Sequence, residues 1–309
     1  MTLDATIAAL EGALPGAVER AAPSAALTTY RCGGPLAARV LVENEDQLLR
    51  VAEIVRTDRV PVLVIGRGSN LLVADAGFAG VALSLAGDFE QFDVDTRAAH
   101  VNAGGAVALP VLARRAAAAG VGGVEFFVGI PGSVGGAVRM NAGGHGRETR
   151  DVFVSARVCD LDQGQTRELT LDDLRFGYRR SALTSRHVVV SATFEGAQAD
   201  PAVCTARIDE IVRWRREHQP GGQNAGSVFT NPPNDAAGRI IDACGLKGLS
   251  VGGASVSAKH ANFFVAEPGA TADDVHALVC TVQRQVELMT GVRLHPELQF
   301  VGFDSEGSA

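Results

Sequence analysis

The stretch GVGGVEFFVGIPGSVGGAVRMNAGGHG, from Gly120 to Gly146, limits what this chain can fold into more than any other. Ten of those 27 residues are glycine, in a chain of 309 that holds 36. Glycine gives up more backbone freedom on folding than any other residue, about 0.5–1 kcal/mol against alanine inside a helix or strand. So rich a run makes a poor core element. It suits a surface of nearly bare backbone whose N–H groups can approach a ligand. Gly129, Pro131, Gly132, Ser133, Gly135, Gly136 and Ala137 make up that surface, with a proline to stiffen it and a serine hydroxyl within it.

Two shorter loops of small residues accompany it. GRGSN, Gly66 to Asn70, follows the apolar run VPVLVIG directly, and VNAGGA supplies Ala103 and Gly104. A Gly-x-Gly after a buried strand invites comparison with the Rossmann fingerprint, which needs a third glycine and a helix next. Here Leu71 follows, and LLVADAG reads as a strand, so the comparison fails. Taken alone, GRGSN is either an amide nest for phosphate oxygens or a tight turn. Three such loops in one region favour a large dinucleotide.

Other features narrow the partners. The net charge of −7 argues against nucleic acid, which needs clustered Lys and Arg. Arg213, Arg215 and Arg216 lie at helical spacing beside Glu210 and Glu217 and read as a solvated, salt-bridged face. The first residues, MTLDATIAALEG, carry no secretory signal pattern, and the longest apolar candidate span, Ala106 to Val124, is interrupted by Arg114-Arg115. Five cysteines without CxxC or zinc spacing are expected as reduced thiols, with no metal site.

Periodicity gives the elements. Asn44 with Gln47 predicts a capped helix carrying Leu48, Val51, Ala52 and Val55 on one face. LPVLARRAAAAG is a helix with proline near its start and Gly120 beyond its end. Strands are expected over Val152–Leu161 and Val188–Phe194, and a compositional shift at Gly196–Pro201 marks a domain boundary. Beyond it come helices over Thr205–His218, Asp235–Gly245 and Thr271–Met289, with strands in HANFFVAE and VRLHPELQF. Thr271 and Asp274 cap the long helix, and Gly291 closes it. The last strand alternates, with Leu294, Pro296 and Leu298 on one face and His295, Glu297 and Gln299 on the other.

GRGSNLLV, GIPGSVGGAVRMNAGGHG, FGYRRS, NAGSVFTNP and HPELQFVG occur in that order, from about Thr28 to about Gly302. In this order they resemble the flavoprotein UDP-N-acetylenolpyruvoylglucosamine reductases, the MurB family. The resemblance implies an α+β chain: an N-terminal segment over 1–27, an FAD-binding domain of the vanillyl-alcohol-oxidase type over 28–197, and an α/β substrate domain over 198–309. The FAD-binding domain would divide into subdomains of roughly 28–86 and 87–197, and the last strand would return to the active site. The short connection after Phe194 is similar to the type II branch.

The same resemblance implies FAD held non-covalently, since the first loop has Ser69-Asn70 where covalent relatives carry histidine; His145 is the lesser candidate for attachment. Cofactor contacts are expected from Gly66, Arg67, Gly68, Ser69, Asn70, Ala103, Gly104, the Gly129–Ala137 surface and Asn141. NADPH would reduce FAD in a cytoplasmic, preferably monomeric enzyme, and UDP-N-acetylglucosamine enolpyruvate would become UDP-N-acetylmuramate for peptidoglycan.

That reaction requires a fixed cation, a further polar partner and a proton donor. Arg179 of FGYRRS matches the family's arginine, always charged and able to grip a carboxylate with a planar fork; its plainer reading is a surface ion pair. Glu297 matches the catalytic glutamate, although alternation alone places it on a solvated strand face. Ser227 matches the proton donor, and by itself reads as a loop residue. Thr230 stands where some members have lysine, leaving Arg179 or Lys247 to supply the positive field. Tyr178, Asn231, Lys247, His260 and Asn262 resemble substrate contacts. The competing readings are an FAD-dependent oxidase or reductase paralogue with another substrate, and a binding protein without catalysis. The second is disfavoured because all three catalytic positions hold competent residue types.

Overall fold

A computed structural model describes residues 2–303. The chain divides into two compact units, each assembled from three separate stretches. One comprises Met1–Arg20, Ala38–Arg67 and Gly80–Arg215; the other comprises Ala21–Ala37, Gly68–Ala79 and Arg216–Ala309.

In the first unit, the helix Glu45–Asp58 begins where expected: the Asn44 side chain accepts from the Gln47 N–H at 3.0 Å. Leu48, Val51, Ala52 and Val55 are fully buried against Val40, Val42, Val81 and Leu83 of the neighbouring sheet. That sheet runs in the order Val18–Pro23, Pro35–Val42, Phe78–Leu85, Val62–Val64, and its last pair is parallel.

A second, antiparallel sheet has the order Gln165–Thr170, Phe153–Asp160, His187–Glu195, His100–Gly104, Phe92–Asp95. The two central strands match the apolar runs in the sequence. Gln165–Thr170 was not anticipated, because it is an edge strand of mostly exposed polar residues with only Leu169 buried. The helix Leu109–Ala118 packs through Leu109, Leu112, Ala113, Ala116 and Ala117 into the same core as Phe127 and Phe194, whose rings meet edge-on at 5.3 Å.

In the second unit, three short antiparallel strands, Ser250–Val251, Ala254–Val256 and Phe264–Ala266, share a core with the helix Ala272–Thr290. Thr271 and Asp274 form the expected capping box, and Gly291 closes the helix with φ 73°. The Asp75 carboxylate also accepts from the Ala272 and Asp273 N–H groups, at 3.1 and 2.9 Å, which suits the positive end of a helix.

The last strand is shorter than its alternation suggests. Only Gln299–Val301 is strand, and it pairs in parallel with Leu71–Val73. Upstream, Pro296 lacks the N–H a ladder needs, and a single bridge to Phe229 replaces it. The alternation survives as burial, with Leu294 and Leu298 inside and His295 and Gln299 outside. Among the described residues no helix is long and apolar enough to cross a membrane.

Candidate active site

The strand Val62–Val64 feeds directly into the loop Gly66–Asn70. Among the described residues, none of the five backbone N–H groups from Gly66 to Asn70 donates to a protein acceptor. Gly66 and Arg67 are exposed, whereas Gly68 is buried and Ser69 and Asn70 half-buried, and a succession of open main-chain donors makes a nest for an anion. The loop admits no side chains at its glycines. A Cβ on Gly66 would collide with the Ser133 hydroxyl, and one on Gly68, at φ 60°, would collide with the Leu27 carbonyl. Behind Gly68, the buried Thr28 hydroxyl has no hydrogen-bond partner among the described residues. Open amides and an orphaned hydroxyl fit a dinucleotide diphosphate.

The Gly129–Ala137 surface is built differently. Gly132 N–H donates to the Ile130 carbonyl, Val134 to Val107 and Gly135 to Gly105, each at 2.9 Å. Gly136 N–H donates to Ser133 Oγ at 3.3 Å, and Ala137 N–H to the Ser133 carbonyl at 2.9 Å. Ser133 is therefore the N-cap of the helix Val134–Met140. Gly104 and Gly105 in the third loop likewise donate, to Gln91 and Val190, both at 2.8 Å, and Ala103 is buried within its strand. These two loops supply close packing and a low-bulk surface. The free amides lie in the first.

FGYRRS folds as a tight turn in which Gly177 and Arg180 exchange backbone bonds of 3.0 and 3.2 Å. Arg179 sits inside it at φ 56°, a left-handed conformation that is strained for a residue with a side chain. Several bonds hold the turn in place. Asn141 Nδ2 donates to the Gly177 carbonyl at 2.9 Å and Ser181 Oγ donates to the Arg139 carbonyl at 2.7 Å. Asn141 is fully buried, and it also donates to Glu148 Oε2 and accepts from the Arg150 N–H, both at 3.0 Å. Its amide is thus engaged inside the protein. The Arg179 guanidinium, with 19% of its side chain exposed, donates to the Gly143 carbonyl at 3.3 Å and lies 3.8 Å from Glu148 Oε1. It also stacks 4.9 Å over the half-exposed Tyr178 ring. Glu148, which orients both Arg179 and Asn141, carries no motif that would reveal it in the sequence.

In the second unit, Ser227 begins an extended segment held on two sides. Val228 N–H donates to the Asn262 carbonyl at 2.8 Å. The Asn262 side chain accepts from Phe229 N–H at 3.0 Å and donates to the Phe229 carbonyl at 2.8 Å. Being buried and doubly bonded, Asn262 acts as a surrogate strand that fixes Ser227. On the other side, Glu297 N–H donates to the Val228 carbonyl at 2.7 Å, and Thr230 N–H donates to His295 at 2.9 Å. Thr230 Oγ1 donates to the same His295 carbonyl at 3.2 Å. The half-buried Ser227 hydroxyl itself engages no protein group among the described residues. Glu297 is also half-buried, and Asn70 Nδ2 donates to its carbonyl at 3.0 Å. Asn70, Ser227, Glu297 and Asn262 therefore form one connected set.

The remaining candidates gather around the helix Ala237–Ala243. Asn231 Oδ1 accepts from Ala237 N–H at 3.0 Å at the start of that helix, and Lys247 Nζ donates to Asp242 at 2.7 Å near its end. His260 lies against Gly238, and its ring is edge-on to Phe263 at 4.8 Å. Burial, and then the Lys247 charge, hold the His260 imidazole below its ordinary pKa, so it favours the neutral form.

Residues 36–170 match the FAD binding domain family, and residues 218–301 match the C-terminal domain of UDP-N-acetylenolpyruvoylglucosamine reductase. The reductase of that name from Synechococcus sp. (strain WH7803) is 40% identical over 298 residues, covering 94% of this chain and 95% of that protein. The one from Paramagnetospirillum magneticum is 42% identical over 290 residues, covering 93% and 92%. The crystal structure of the Thermus caldophilus enzyme superimposes with a TM-score of 0.80 at 36% identity, covering 92% of this chain and 98% of that one.

Proposed function

The chain belongs to the UDP-N-acetylenolpyruvoylglucosamine reductase family of FAD-containing oxidoreductases, and from that premise we propose that it reduces UDP-N-acetylglucosamine enolpyruvate to UDP-N-acetylmuramate at the expense of NADPH. FAD would be held non-covalently, its diphosphate against the open N–H groups of Gly66 to Asn70. When bound and reduced, it supplies the hydride that adds to the methylene carbon of the enol ether.

The chain's own residues handle the charge and the proton. Hydride addition pushes the electron pair of the double bond onto the adjacent carbon and its carboxylate. Arg179 answers that charge with its planar guanidinium fork, held in its strained turn by Gly143, Glu148 and the Tyr178 ring. Ser227 Oγ then gives its proton to the carbon, which is basic enough to accept from a weak acid. Glu297 stands on the segment bonded to Val228, next to the serine, as the further polar partner for the enolate-like carbon. Lys247 and the neutral His260 are assigned to the UDP moiety. One observation carries this reading: the backbone just after Ser227, at Val228 and Phe229, is fixed by Asn262 and Glu297, while the Ser227 hydroxyl engages none of the described residues.

The test is anaerobic. NADPH should bleach the flavin, and UDP-N-acetylglucosamine enolpyruvate should restore its colour. A reduced flavin that ignores this substrate but reacts rapidly with oxygen would replace the proposal with an oxidase reading.

A further inference from the structure

Asn70 lies at the end of the amide-rich loop, yet its side chain faces away from the role that the loop suggests. Nδ2 donates to the Glu297 carbonyl and the Asn70 carbonyl accepts from the Gln299 N–H, both at 3.0 Å. The parallel ladder begins one residue later, with Leu71 opposite Gln299. The Asn70 amide therefore adds a rung that the main chain does not make. From the other side, Glu297 N–H is bonded to the Val228 carbonyl at 2.7 Å. The backbone of Glu297 is thus pinned between the residue after Ser227 and the last residue of the anion loop.

We propose that Asn70 is a positioning residue for Glu297, coupling the loop that receives the cofactor diphosphate to the placement of the catalytic carboxylate. Asn70 belongs to the loop through its backbone and to Glu297 through its side chain, so the placement of the anion loop and that of the carboxylate are linked by one residue. The backbone N–H of Asn70 is donated to no described residue and survives substitution, whereas the side chain serves the segment that carries the carboxylate. This inference rests on the proposed role of Glu297 in the substrate half-reaction.

The experiment uses the flavin-loaded enzyme. Asn70→Ala removes the donor and its volume; Asn70→Leu removes the donor and keeps most of the volume. Flavin content should match the parent in at least one variant, with reduction by NADPH within about twofold. Reoxidation by UDP-N-acetylglucosamine enolpyruvate should slow by about tenfold to a hundredfold, the scale of a small misplacement of a catalytic group. Hydrogen exchange at the amides of residues 297–299 should accelerate, with or without substrate. Added to Glu297→Gln, either Asn70 substitution should cost nothing further, since both act through one carboxylate. Equal slowing of the two half-reactions, multiplicative effects in the double variant, or loss of flavin from both single variants would overturn the proposal. If Glu297→Gln alone leaves reoxidation unchanged, the role of Glu297 fails and the proposal falls with it. An impaired Glu297→Gln with additive Asn70 variants sinks the positioning role alone.

Discussion

The loops Gly66–Asn70 and Gly129–Ala137 share a composition and differ in where their N–H groups go. Among the described residues, none from Gly66 to Asn70 is donated to protein; from Gly132 to Ala137 every one but that of Ser133 is. In the second loop the missing side chains let backbone meet backbone, as where Gly135 reaches the Gly105 carbonyl. In the first they leave donors open. Glycine content marks where a backbone comes close to something, and the hydrogen-bond inventory tells whether that is the protein or a ligand.

The contrast can be broken by adding methyl groups. Gly68→Ala should be the most damaging, because φ 60° is strained for alanine and the Cβ collides with the rigid Leu27 carbonyl. A stability loss of about 3 kcal/mol or more, read from denaturant unfolding of the apo-protein, is expected together with flavin loss. Gly66→Ala meets only the Ser133 side chain, its hydroxyl most closely and its Cβ at 3.3 Å, so about 1–2 kcal/mol is expected. Removing that hydroxyl with Ser133→Ala should return part of it, as a double-mutant cycle would measure. Gly136→Ala is the mildest: its Cβ finds nothing nearer than Ser133 Oγ at 3.6 Å, and helix stability should change by about 0.5 kcal/mol or gain slightly. Gly136→Ala therefore separates the two uses of glycine. Flavin loss with unchanged apo stability would show that the second loop also needs its bare surface for the cofactor.

What was legible in the sequence was local. Asn44 with Gln47, and Thr271 with Asp274, identify helix starts because cap and partner lie three residues apart. The buried face of Glu45–Asp58 followed from its spacing. What was not legible depends on long separations. The Asn141 amide meets Gly177 36 residues away, and Asn262 meets Phe229 33 residues back. Neither pairing leaves a local pattern in the sequence, where the family resemblance alone marks both asparagines as ligand contacts. The Gln299–Val301 strand reads as part of a longer one because alternation reports burial, whereas Pro296 decides where a ladder can form. Glu148 has no sequence signal at all. Its role emerges only once the turn at Arg179 is folded beside it.

The central claim is that Ser227 is the proton donor to the reduced enolpyruvyl carbon. Ser227→Ala, followed anaerobically in both half-reactions, tests it most directly. Bleaching of the flavin by NADPH should stay within about twofold of the parent, and reoxidation by UDP-N-acetylglucosamine enolpyruvate should slow by about 10²–10⁴-fold, the range of a positioned general acid. Equal slowing of both steps, or reoxidation at the parent rate, would contradict the account.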